Sequence, residues 1–541
     1  MKRITLLAAV AAAALAQVPL PSSPNWTSQD TDYATGGAFA DINGDGWLDL
    51  CNSNGNDMAY DHNAVYLNSG GALEPVASWR SADNGYFGHC YSGDVNNDGL
   101  PDLCVAYLGS GIQGDQKARI YRNSGSSLET TPFWKAADRH ASFDCCLGDF
   151  DLDGDLDLAI AAGDAYTSNG DSACIYRNNS GVFDTLPFWS AGDSVPSDAI
   201  RFCDIDDDGD LDLFVGQRRK VSMYRNNSGT LATTPSWVAR RRVGWVLRLE
   251  FGDYDADGRL DLAVACNGQL GDSNAVLVYH NDAGQLDTLP SRVLFRRFGS
   301  TRYTSTVAWA DLNGDGYPEL IAGGWWMPLV VFPNDSGTID TTYRWSWPSN
   351  PASFVGEAII AADVDNSHLE TRVDSFIADG SRRLFRLSTR PIQRLITLTV
   401  NGTPVPPSHF CLDPLLGYIS FASTPDPGST IAASFNFTRF HDICVTNWDR
   451  LTGSRLFLNT SASPVAESPG RVPMPALPFS LVTRHSPLLL PNLPLPVALL
   501  DASGRRVLTL APGLNDLSSI RPGVYFVTTG TLRSRIVVVG D

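Results

Sequence analysis

The chain has 541 residues, of which 43% are hydrophobic and 18% charged, and its formal net charge is −19. The apolar share supports a large core and excludes wholesale disorder. With 59 acidic residues against 40 basic ones the chain would repel phosphate, so no nucleic-acid partner is expected. At the N-terminus, Lys2 and Arg3 precede an apolar run from Ile4 to Leu15 that ends in Ala14-Leu15-Ala16. This is the layout of a secretory signal peptide, assigned to residues 1–16. The run is shorter than the roughly 20 residues a span requires, and no transmembrane segment is expected. Export permits disulfides, yet most of the ten cysteines sit in apolar runs (Cys51, Cys104, Cys266, Cys444) and read as small buried hydrophobes.

From residue 41 one pattern recurs: Asp41-INGDGWL-Asp49, Asp94-VNNDGLP-Asp102, Asp149-FDLDGDL-Asp157, Asp204-IDDDGDL-Asp212, Asp253-YDADGRL-Asp261 and Asp311-LNGDGYP-Glu319, at spacings of 53, 55, 55, 49 and 58 residues. A period near 50 indicates a solenoid, propeller or array. Each acidic loop is followed by an apolar strand, then an aromatic-x-Asn strand, then a segment with Trp79, Trp134, Trp189, Trp237 or Trp345. Four short strands per unit, repeated radially, predict an all-β propeller. The aromatic markers at 66, 121, 176, 224, 279, 332, 385 and 457 count eight blades; seven is the alternative if 391–461 form a separate side domain. Pro24-Asn25-Trp26-Thr27 supplies the segment missing from the last unit, so the N-terminal strand is expected to complete the final blade.

The expected organisation is therefore a propeller over 17–461 with inserted β-hairpins at about 391–437, where Asn401-Gly402 is a hairpin turn. Nine prolines between Pro464 and Pro496 read as a stiff linker over 462–496, and 497–541 as a small β-sandwich-like domain.

Oxygen-bearing side chains at loop positions 1, 3, 5 and 9, with glycine at position 6, suit a hard cation such as Ca²⁺, which takes six to eight oxygens. The candidate ligands are Asp41, Asn43, Asp45 and Asp49; Asp94, Asn96, Asp98 and Asp102; Asp149, Asp151, Asp153 and Asp157; Asp204, Asp206, Asp208 and Asp212; Asp253, Asp255, Asp257 and Asp261; and Asp311, Asn313, Asp315 and Glu319. Asp, Asn and Gly also form turns without any metal, but six loops keep the same oxygen positions. Their 21 carboxylates need a counter-ion, and six Ca²⁺ would take the net charge from −19 to −7. Asp363 and Asp365 match only the first half of such a loop, which puts a seventh site in doubt.

These loops resemble the FG-GAP/VCBS repeats, the calcium-loop propellers that include integrin α-subunit heads. The resemblance implies Ca²⁺ at the listed loop positions and a ligand on the opposite face, where Tyr60, His62, Tyr107, Tyr166, Trp325, Trp326 and Trp448 fall. Leu500-DASGRR-Val507, Leu514-ND-Leu517 and Arg521-PGVY-Phe526 resemble the sorting domain of type IX secretion cargo, implying the type IX machinery as a partner and a secreted or outer-membrane cell-surface location. The functional expectation is a binding or adhesion module for a glycan or protein ligand, without catalytic residues. A polysaccharide lyase or hydrolase on a propeller, and a purely structural surface protein, are the alternatives. The chain lacks Gly-x-Ser-x-Gly and His-Glu-x-x-His.

Overall fold

A computed structural model describes residues 18–109, 114–163, 170–241, 244–269, 274–295, 302–350, 354–449 and 452–461, together with strands between 480 and 539. The signal-peptide assignment and Tyr166 lie outside the described residues. Residues 1–463 form one compact unit and 464–541 a second.

In the first unit the repeat folds as the alternation of apolar runs and Gly-rich turns requires. Blade 1 pairs Ala34–Ala40, Asp49–Asn54, Ala64–Tyr66 and Trp79–Arg80 as one antiparallel sheet, and five further four-stranded sheets repeat this order. The inner strands of blades 2 to 7 are Phe87–Gly93, Ser142–Gly148, Ser197–Cys203, Trp245–Gly252, Tyr303–Ala310 and Gly356–Ala362. Each packs against the next, and the seventh packs against the first, so the ring closes at seven blades. Blade 7 is assembled from Gly356–Ala362, Asp442–Asn447, Arg455–Phe457 and the N-terminal Trp26–Thr27, with Trp26 opposite Leu456. Closure by the N-terminal strand is as expected from the sequence.

The expectation of eight blades is corrected to seven. Residues 364–441 leave blade 7 between its first and second strands and build an inserted domain. One of its sheets pairs Glu370–Ile377, Thr430–Phe437, Ile392–Val400 and Thr403–Pro404; the other pairs Leu384–Arg386, Tyr418–Phe421 and Phe410–Asp413. The insertion is thus wider than 391–437. Phe385, counted as a blade marker, packs on Phe376 and Phe421 inside it. The Asn401-Gly402 turn is present, with φ of 52° and 78° and Val400 opposite Thr403.

The true markers are partnered between blades. An aromatic in the outer strand of each blade, or directly after it in blade 5, meets the third-strand aromatic of the next edge-on: Trp79 on Tyr121, Trp134 on Tyr176, Trp189 on Tyr224, Trp237 on Tyr279, Phe295 on Phe332, Trp345 on Phe457 and Trp26 on Tyr66. Seven such pairs close the circle, each contributing about 0.5–1.5 kcal/mol beyond its buried area. All ten cysteines are buried and unpaired, consistent with their reading as apolar filler. Among the described residues no helix is long and apolar enough to cross a membrane.

In the second unit, Ser480–Thr483 pairs in parallel with Leu532–Val539, and Leu488–Leu490 pairs with Gly513–Asn515. The stretch read as a linker therefore contains two strands of the C-terminal sheets.

Candidate metal centres and ligand face

Every acidic loop joins the inner strand of a blade to its second strand, and one hydrogen-bond pattern curls it. The position-1 carboxylate accepts the backbone N–H of position 6, as in Gly46 to Asp41 (2.9 Å), Gly99 to Asp94 (2.7 Å) and Gly316 to Asp311 (2.9 Å). Position 6 is glycine at φ near +90°, from 85° in Gly316 to 95° in Gly209, a region closed to other residues. Position 4 is also left-handed, and Leu152 and Ala256 hold it at 61° and 58°. Such a position costs a non-glycine residue about 1–2 kcal/mol, a strain typical of sites built for a ligand.

The position-9 acid braces the loop from behind. Asp157 accepts the N–H of Phe150 (3.2 Å) on one oxygen and that of Asn178 (2.8 Å) on the other. Asp49, Asp102 and Asp261 do the same with their counterparts.

The structure brings positions 1, 3 and 9 together in loop 3 (Asp149, Asp151, Asp157) and loop 5 (Asp253, Asp255, Asp261), and positions 1, 3 and 5 in loop 4 (Asp204, Asp206, Asp208), with ligand atoms within 4.8 Å of one another. Loops 1, 2 and 6 carry asparagine at position 3 (Asn43, Asn96, Asn313). Their asparagine amide oxygens accept the position-5 N–H, as Asn43 does from Asp45 (2.9 Å) and as the Asp255 carboxylate does from Asp257 (3.3 Å).

In blade 7 a further cluster joins Asp363, Asp365 and Asp442. Val364 donates to Asp442 (2.7 Å), Asn459 donates to its other oxygen (2.7 Å), and His368 donates to Asp363 (2.9 Å), which repeats the loop pattern position by position. The half-loop begun by Asp363 and Asp365 is completed by Asp442, so the two are one loop, opened after position 6 by the inserted domain. Position 6 is His368 here, the one loop without glycine at that turn.

A cation fits these loops. The donors are all oxygen, and Asp41 Oδ1, Asp151 Oδ1, Asp204 Oδ1 and Asp206 Oδ1 are buried with no hydrogen-bond partner. Burial first, and the like charge of neighbouring loop acids after it, raise Asp49, Asp94 and Asp153 to about 6, Asp102 and Asp149 to about 7, and Asp261 and Glu319 to about 8. A divalent ion reverses that penalty. In loop 4 two guanidinium groups compete for the same charge: Arg225 meets Asp206 (2.5 Å) and Asp212 (2.9 Å), and Arg382 meets Asp204 (3.1 Å).

Two residue classes escaped the sequence reading. His280 Nε2 lies 3.0 Å from Asp255, and together with Asp257 the three place ligand atoms within 4.8 Å of one another. It stands where blades 2 to 4 carry arginine between the aromatic and the asparagine, and that exception was the available signal. The marker asparagines tie adjacent loops together. The Asn178 amide donates to Leu156 of its own loop (3.0 Å) and to Val95 of the preceding blade's loop (2.7 Å). Asn68, Asn123, Asn226, Asn281, Asn334 and Asn459 repeat this around the ring. Their recurrence in every repeat was visible; their partners, 76 to 83 residues away for five of them, 147 for Asn459 and 296 for Asn68, were not.

The inserted domain covers the loop face. Arg383 donates to the Leu152 carbonyl (2.6 Å), Tyr91 to Asp413 (3.0 Å), and Arg386 to the Gly258 carbonyl (2.7 Å). The opposite face stays free of it. There Trp325, Trp326 and Trp448 come together with Phe143, Trp245 and Tyr303, contributed by blades 3, 5, 6 and 7, so they meet at the propeller axis. The Trp325 indole N–H donates to Glu357, whose carboxyl burial pushes up to about 8. Tyr107 is apart from this group, buried beneath the Arg119 guanidinium at 4.6 Å. His62 is engaged with the Ser81 carbonyl (2.8 Å), and Tyr60 is 60% exposed, edge-on to Tyr86.

The FG-GAP-like repeat model matches residues 41–105, 94–160, 149–215, 204–264 and 253–322. Integrin alpha-5 of Xenopus laevis is 37% identical over 78 residues, 13% of this chain, and the chain spans only 7% of that integrin's length. Among solved structures, BBS1N in complex with ARL6DN aligns at 12% identity and a TM-score of 0.39, over 64% of this chain and 89% of that one. An Agrocybe aegerita lectin that recognises non-reducing terminal N-acetylglucosamine aligns at 21% and 0.36, over 57% and 79%. The repeat matches run without a gap from residue 41 to residue 322, just over half of the sequence, and the chain belongs to the FG-GAP-like repeat family.

Proposed function

We propose that this protein is a secreted or cell-surface, calcium-stabilised binding module that holds a glycan or protein ligand on the face opposite its acidic loops. The observation that carries the reading is the axial cluster of Trp245, Tyr303, Trp325, Trp326 and Trp448 on the face the inserted domain leaves open. Indole rings beside a buried carboxyl suit stacking against sugar rings or an aromatic anchor of a protein partner. Calcium fills the loops and fixes the blades; loop 4 takes it most weakly because Arg225 and Arg382 already balance its charge. The signal peptide and the C-terminal sorting segment direct the chain outward. The module is non-catalytic, so polysaccharides are bound without product.

Glycan-array and surface-binding measurements on Trp326→Ala and Trp448→Ala test this. Both side chains are only partly buried, and each variant is expected to lose about tenfold in affinity or more while melting near the wild type. Wild-type binding by both variants, or release of product from a bound polysaccharide, overturns the reading.

A further inference from the structure

Between the inserted domain and the propeller lies a chamber of about 1020 Å³. Its floor comes from the inner strands of blades 1, 2, 5, 6 and 7, and its roof from residues 388–398, 404–416 and 437–439. Blades 3 and 4 take no part, because there the insertion sits directly on the loops: Cys411 against Asp149 and the Tyr418 hydroxyl on the Asp204 N–H (3.1 Å). Much of the wall is apolar, with Phe39, Trp309 and Ile360 below and Leu412, Leu415 and Phe437 above.

The charges in the wall are distributed in a particular way. Five are basic (Arg248, Arg372, Arg390, Arg394, Arg439) and five acidic (Asp41, Asp94, Glu250, Asp253, Asp311). Four of the five acids are the first positions of loops 1, 2, 5 and 6, whose charge a bound cation takes up. In the loaded protein Glu250 is then the one wall acid left charged, and it is already paired with Arg248 (2.7 Å) and Arg201 (3.2 Å), while Arg372 faces Asp374 outside the wall (3.7 Å). Arg439 is paired with Glu370 (2.9 Å). Arg390 is not: its Nε is buried without a hydrogen-bond partner, and it makes no ion pair among the described residues. Arg390 as a whole is only partly buried, and a guanidinium nitrogen withdrawn from water without a partner is costly to the fold. Burial and the nearby Arg386 hold its proton affinity below the usual arginine value, against the longer-range pull of Tyr418 and of Asp253, whose charge a bound cation takes up. His441, in the same wall, bonds the Asp311 carbonyl through Nδ1 (2.9 Å) and leaves its buried Nε2 unpartnered.

We propose that this chamber is a binding site for an organic anion with an apolar body, its acidic group paired with Arg390 and its body laid against the apolar wall. The site is separate from the aromatic face and rests on the calcium reading only for the loop charges. The probe is 1-anilinonaphthalene-8-sulfonate, compared with its uncharged counterpart N-phenyl-1-naphthylamine, on the full chain in calcium. The sulfonate is expected to bind at one site per chain and about tenfold tighter than the neutral dye. Arg390→Met is expected to abolish that preference and Arg390→Lys to keep it. Equal affinity for the two dyes, or an unchanged preference in Arg390→Met, overturns the proposal; should Arg390→Met not fold, the wild-type dye ratio decides alone. Calcium uptake is read separately from the shift in melting temperature. A chain that takes up calcium but shows no dye preference fails here without touching the proposed function.

Discussion

At the residue scale, the marker asparagines do more than end a strand. Asn178 is fully buried, and its amide satisfies carbonyls of two successive loops while its backbone N–H holds Asp157. Removing the amide leaves two buried carbonyls unpaired. Asn178→Ala is therefore expected to destabilise the unit by about 2–3 kcal/mol in denaturant unfolding, more than an average surface change. A loss below about 0.5 kcal/mol would show that water replaces the amide. The loop ligands themselves were legible in the sequence because their chemistry is local: spacing alone places positions 1, 3, 5 and 6. Asp442 was not, since 78 residues separate it from Val364, whose N–H it accepts.

At the element scale, blade assignment depends on what an aromatic strand packs against, and spacing alone misled. Phe385 falls at the repeat distance from Phe332, yet it belongs to the core of the inserted domain, with Ile419, Phe421 and Phe435. The strand that closes the ring was legible, because a stray Trp segment at one end matched a missing one at the other. Trp26 donates to the Glu74 carbonyl (3.1 Å) and meets Tyr66 edge-on at 5.5 Å. Deleting residues 18–28 leaves Arg455–Phe457 as an open edge. Such a variant is expected to elute from size exclusion as dimers and larger species; a monomer with wild-type melting would refute closure by this strand.

At the scale of the whole molecule, the −19 charge is concentrated in the loops, and its titration sets how stability varies with pH. Without metal, Asp261, Glu319 and Asp442 ionise near 8 in the folded state and near 4 when unfolded. Raised carboxyl values favour the folded chain while the groups are protonated. That stability is complete below about pH 4 and is lost as pH rises through 6 to 8. In chelator the melting temperature should fall between pH 5 and 8. Calcium, which needs the ionised form, should raise it far more at pH 8 than at pH 5. A calcium effect independent of pH, or none at all, would count against metal in these loops.

The pairing of Trp26 with Leu456 carries a further consequence, for the order of events in folding. Of the propeller strands, the one that comes earliest in the sequence is the last to find its partner, some 430 residues later. Until Arg455–Phe457 appears, six blades stand as an open arc with a free edge at either end. Contacts so distant in sequence form slowly. Completion of the ring is thus a late, single step, and a chain truncated anywhere before residue 455 has no way to finish it.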